Sequence, residues 1–99
     1  MSEFEVFHHK IGVQMHVGTT QADIWIQFGV KGPNGEHSLA LTYVWPSGNS
    51  QTVETVVPFK NGGLTIDTSI TLDDIRSGDY ILRLKIAGED LGDFPFTID

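Results

Sequence analysis

The chain has 99 residues, enough for one hydrophobic core and not for two, so residues 1–99 are expected to form a single domain. Six Lys and Arg stand against 13 Asp and Glu, a formal net charge of −7, and the basic footprint that nucleic acid or an anionic membrane surface requires is missing. Cysteine is absent, which removes disulfide frameworks, thiol catalysis, iron–sulfur clusters and Cys-ligated zinc, while 39% hydrophobic and 19% charged residues suit a soluble globular domain.

The N-terminal run Met1-Ser2-Glu3-Phe4-Glu5 carries acids where a signal peptide has its basic region. No apolar stretch approaches the roughly 20 residues of a membrane span. With Met1 as the native start, the expected compartment is the cytoplasm. Period-2 alternation then dominates the chain, and no window carries a helical stripe. Phe4 and Val6 alternate in one phase, and Ile11, Val13, Met15 and Val17 in the other. The switch within Phe7-His8-His9-Lys10 predicts a bulge or a change of sheet, because one extra residue turns every later side chain to the opposite face.

Ile24, Ile26, Phe28 and Val30 mark the second strand, and Leu39, Leu41, Tyr43 and Trp45 the third. Val53, Val57 and Phe59 mark a fourth, placed at a sheet edge by Pro58. Leu64, Ile66, Ile70 and Leu72 form a fifth, with Thr68 at the missing apolar position. Tyr80, Leu82, Leu84 and Ile86 are the sixth, and Leu91, Phe94, Phe96 and Ile98 a seventh whose Pro95 again points to an edge. Gly-, Pro- and Asn-rich turns separate these segments, and residues 72–78 are expected to make one helical turn. About seven short strands so punctuated predict an all-β antiparallel sandwich.

The run Leu72-Asp73-Asp74-Ile75-Arg76-Ser77-Gly78-Asp79-Tyr80 resembles the corner before strand F of immunoglobulin-like and fibronectin type III domains. The pattern continues through the alternating strand Ile81-Leu82-Arg83-Leu84-Lys85-Ile86, a Gly turn and the closing Phe94-Pro95-Phe96-Thr97-Ile98. It also looks like small stand-alone bacterial proteins of uncharacterised function. The resemblance implies an immunoglobulin-like sandwich of about seven strands in which Tyr80 bonds the backbone upstream. It departs from antibody domains in lacking their Cys pair and in placing Trp45 at a strand end. It implies no activity, since this fold hosts many.

Several residues invite a function. His8, His9, His16 and His37 lack the spacing of a metal site and are expected to be structural or solvated. Asp73, Asp74, Asp79 and Asp99 are the acids that one end of a sandwich could gather around a calcium ion. The bland alternative is that they cap turns and keep the surface soluble. Trp25, Val44, Val56 and Ile81 lie out of phase with their strands' core pattern and nominate an association surface, centred on Trp25 and Ile81. No nucleophile elbow, phosphate loop or local Ser/His/Asp set is present, so no enzyme and no cofactor are expected. The expectation is a binding module for a protein partner or for a second copy of itself, through the apolar patch or an open edge strand. Its alternative is a binder of Ca²⁺ or carbohydrate, through the acidic loop end or the Trp side chains.

Overall fold

The computed structural model describes residues 3–99. Met1, on which the expectation about the chain's start rests, lies outside the described residues. The described residues form seven strands and no helix, so none is long and apolar enough to cross a membrane. The strands are β1 (Glu5–Met15), β2 (Ala22–Lys31), β3 (Gly35–Val44), β4 (Ser50–Phe59), β5 (Gly63–Leu72), β6 (Gly78–Ile86) and β7 (Glu89–Ile98). They pair antiparallel into a three-stranded sheet, β1-β2-β5, and a four-stranded sheet, β4-β3-β6-β7.

The alternation is the reason for this architecture. Ile24, Ile26 and Phe28 on β2 and Leu82, Leu84 and Ile86 on β6 turn the same way along their strands, and all six are fully buried between the sheets. The phase switch in β1 is a bulge between Val6 and His8, which lets Val6, Ile11 and Val13 all meet inward residues of β2. Both Pro-marked strands, β4 and β7, are outer strands of their sheet.

Two expectations fail locally. Alternation continues to Val17, but β1 ends at Met15 and Val17 is fully exposed in a turn closed by the His16 N–H on the Gln21 carbonyl. Residues 72–78 bend without making a helical turn. Ile75 is buried instead, its N–H donating 2.7 Å to the Thr20 carbonyl, which ties the loop to the β1–β2 turn.

Two glycines carry aromatic rings on the outside of the three-stranded sheet. Gly12 lies opposite Trp25 in the ladder, and a Cβ there would run into the indole. A Cβ on Gly29 would stand 2.6 Å from Phe7 Cζ. Both rings therefore lie down on the neighbouring strand, restoring the contact that a glycine otherwise leaves unmade. The body is elongated, 44 × 22 × 20 Å.

Candidate functional site

The residues singled out from the sequence go to separate places. Trp25 is on the outer face of the three-stranded sheet, lying over Gly12 and 39% exposed. Val44 and Ile81 are register partners on the outer face of the other sheet, and both are half-buried. Val56 shares that face but pairs with Ser38, six residues from Val44 along β3, about 20 Å at the strand rise. The two outer faces look in opposite directions, so no single apolar patch joins Trp25 to Ile81. A sheet has two sides, and alternation tells which side a residue is on without telling which sheet.

The acids are also dispersed among partners. Asp73 accepts from Gln21 Nε2 at 2.7 Å, Asp74 lies 3.4 Å from the Arg76 guanidinium, and Asp79 accepts from Thr97 Oγ1 at 3.0 Å. Asp99 follows the end of β7 and is exposed. Among the described residues no three His, Asp or Glu side chains converge where a metal ion could be held. His37 bonds the Pro33 carbonyl at 2.9 Å through Nε2, and His16 pairs with Asp23 at 3.0 Å. The Thr71 hydroxyl, and after it His16, hold the Asp23 carboxyl below its ordinary range. Tyr80 is fully buried; its hydroxyl donates to the Arg76 carbonyl at 2.8 Å and accepts from the Arg76 N–H at 3.0 Å. That closes the corner before β6 with no buried polar atom left over.

The two long sides of the sandwich, where the sheets' outer strands face each other, are built differently. On the β1/β7 side, Phe94 fills the gap. Its ring stands 4.9 Å from Phe28 and 4.8 Å from His9, and Phe96 stacks on Tyr80 at 5.4 Å. Both outer strands are irregular there: β1 carries the Val6/His8 bulge, while β7 holds Pro95 and a register shift opposite Leu84 and Lys85. Bulges and proline are devices that stop an edge from pairing again.

The β4/β5 side has no bulge, and its one proline is Pro58 near the end of β4, so β5 alone is free of both features. β5 pairs with β2 over its whole length without a register shift, as β4 does with β3. Between them runs an apolar cleft of about 260 Å³. Leu39 and Leu41 of β3 form one wall, Leu64 and Ile66 of β5 the other, and Val53 and Thr55 of β4 overhang it. Thr68, the polar residue at an expected apolar position, lines the cleft on β5 as Thr55 does on β4. Thr68 stands at an apolar position in the alternation of β5, and Thr55 is a second polar residue on the inward side of β4. The two strands carry one charge each, Glu54 and Asp67, both acidic.

A second concavity, a trough of about 510 Å³, crosses the outer face of the four-stranded sheet. Its floor is Ala40 and Thr42, and its sides carry Glu54, Arg83, Lys85 and Asp93. Arg83 is already bonded to Asp93 at 3.2 Å.

No family model matches the chain, and no curated protein does. Solved structures do. A glycosyl hydrolase family 2 member from Bacteroides cellulosilyticus superimposes with a TM-score of 0.75 at 11% identity, over 96% of this chain and 14% of that one. The Pseudomonas fluorescens alkylpurine DNA glycosylase AlkC, bound to DNA containing an abasic site analog, superimposes with a TM-score of 0.62 at 14% identity, over 97% of this chain and 30% of that one. At such identities the likeness is one of fold. The chain corresponds to a minor part of each of these larger proteins, and what it shares with them is the β-sandwich.

Proposed function

We propose that the chain is a non-catalytic binding module that takes up an extended segment of a partner protein along its β4/β5 side. The observation that carries this reading is the apolar cleft beside β5, an outer strand in unbroken register that holds no proline. A peptide laid there makes main-chain hydrogen bonds to a free strand edge while alternate side chains enter the cleft, the usual logic of strand addition. The lining also argues against catalysis, because its one ionisable side chain, Asp67, has no base or nucleophile beside it in the cleft. The architecture fits the immunoglobulin-like class, of the fibronectin type III kind. Tyr80 at the corner before β6 and the arrangement of three strands against four support that assignment.

The test is selection of binders from a display library of random peptides, followed by their titration against two variants. Thr55→Arg places a long cation in the cleft and should weaken selected binders at least roughly tenfold. Val56→Arg changes the outer face of the same strand and should leave them unchanged. Equal loss in both variants, or in neither, would remove the cleft from the account. A second reading, a small polar ligand such as a carbohydrate, is favoured by the outer trough over Ala40 and Thr42. Amide shifts at those two residues on adding a neutral oligosaccharide would support it.

A further inference from the structure

The cleft is where one sheet runs out of strands before the other, and this decides which edge receives the partner. The larger sheet has one strand more than the smaller, and the middle of β4 overhangs the cleft while Phe59 at its far end is buried against Phe4. The inward side chains show the overhang. Leu39 and Leu41 on β3 are 3% exposed and Ile66 on β5 is 6% exposed, whereas Val53, also inward on β4, is 37% exposed. The unoccupied place therefore lies beside β5, in the plane of the three-stranded sheet and facing Val53 and Thr55.

We infer that the partner segment adds to β5 as the fourth strand of the three-stranded sheet, and that its solvent-facing side carries a Lys or Arg against Asp67. The inference rests on strand addition being the function, and it commits to a heterologous, basic occupant. β5 keeps a strand's regular pitch on its free edge because all ten of its residues pair with β2 in continuous register. It contains no Pro, Lys or Arg, the residues that spoil an edge for pairing. Side chains of an added strand that point inward would cover Val53 and Thr55 and must be apolar. Those that point outward would stand beside Thr65, Asp67 and Ser69, where an opposite charge directly across the ladder is favourable and a like charge is not. A second copy of the chain fits poorly. Its own β4 and β5 bring Glu54 and Asp67 again, and each copy carries a net charge of −7.

The experiment is amide hydrogen exchange by NMR, with and without a selected peptide that alternates Val or Ile with Thr and Lys. The same peptide with Glu in place of Lys is the comparison, and Asp67→Lys is the charge-reversal variant. The expected result is new protection at alternate amides of β5 with β4 unchanged. Several-fold tighter binding of the Lys peptide is expected in the parent, and the preference should invert in Asp67→Lys. New protection on the β4 edge instead, or a preference for the Glu peptide, overturns the inference and leaves strand addition standing. Protection on neither strand removes both. Protection of β5 that grows with protein concentration in the absence of peptide also overturns it, because the occupant is then a second copy. Exchange of the β2 amides in Asp67→Lys serves as the control that the sheet is intact.

Discussion

The two sides of this sandwich solve the same problem in opposite ways. Each must end two sheets without leaving strand edges and core residues in contact with water. On the β1/β7 side the chain uses aromatic mass, with Phe94 wedged among His9 and Phe28, and it kinks both outer strands so that neither can pair further. On the β4/β5 side both strands stay in register despite Pro58 in β4, Thr stands where an apolar side chain would close the gap, and a cleft remains. The difference shows that three strands against four set where an opening falls, and that the residues decide whether it is filled. A ring and a bulge close one side, and two Thr side chains leave the other unfilled.

The contrast can be tested first by deletion. Phe94→Ala should destabilise the protein by about 3 kcal/mol, as removal of a packed ring does, whereas Val53→Ala on the open side should cost less than about 0.5 kcal/mol. Urea unfolding of the two variants measures both, and similar losses would mean that the two sides are equally part of the core. The next largest effect belongs to the centre, between the two sides. Burial pushes the Tyr43 hydroxyl up to about 12, above its ordinary value of 10.0. The neutral form is the one the fold favours, so stability is complete below pH 10 and falls as the unfolded state ionises alone. About 2 kcal/mol should be lost between pH 10 and 12, and Tyr43→Phe should not show that loss.

Tyr80→Phe removes both bonds to the Arg76 backbone and should cost about 1–2 kcal/mol, read from the same urea curves. If the corner were decorative the midpoint would not move. The smallest effect is expected on the outer face near the β1–β2 turn. Thr71→Val takes away the main cause of the lowered Asp23 carboxyl. The variant should be slightly less stable than the parent above pH 3.8, the ordinary value for that carboxyl, and the gap should close as the pH falls through Asp23's own lower value. A gap that persists in acid would assign the effect to the Thr71 methyl and not to charge.

Much of this molecule is written in its alternation. Seven strands follow from period-2 runs, the β1 bulge from the change of phase near His8, and the outer positions of β4 and β7 from Pro58 and Pro95. These are local signals, and local physics fixes them. Partnership between strands is not local. Trp25 and Ile81 are both out of phase with their strands, but β2 and β6 belong to different sheets, and no periodicity reports that. The cleft is harder still to read, because it arises from a count of strands per sheet and from two Thr side chains whose inward aim has meaning only once β5 lies across from β3. Val17 failed for a simpler reason: a turn can hold an apolar residue without burying it.

The direction of the strands has a mechanical consequence. β1 and β7 run the same way in different sheets, so the chain enters the 44 Å body at the pole where Glu5 meets Lys31 and leaves it at the pole where Ile98 meets Gly78. A pull applied through the two ends therefore acts along the strands. It slides β1 past β2 and β7 past β6, and the hydrogen bonds of each ladder share the load and must fail together. Strands pulled apart crosswise would peel one bond at a time. A domain loaded in this way tolerates tension along its long axis, while its β4/β5 flank lies off the line of force.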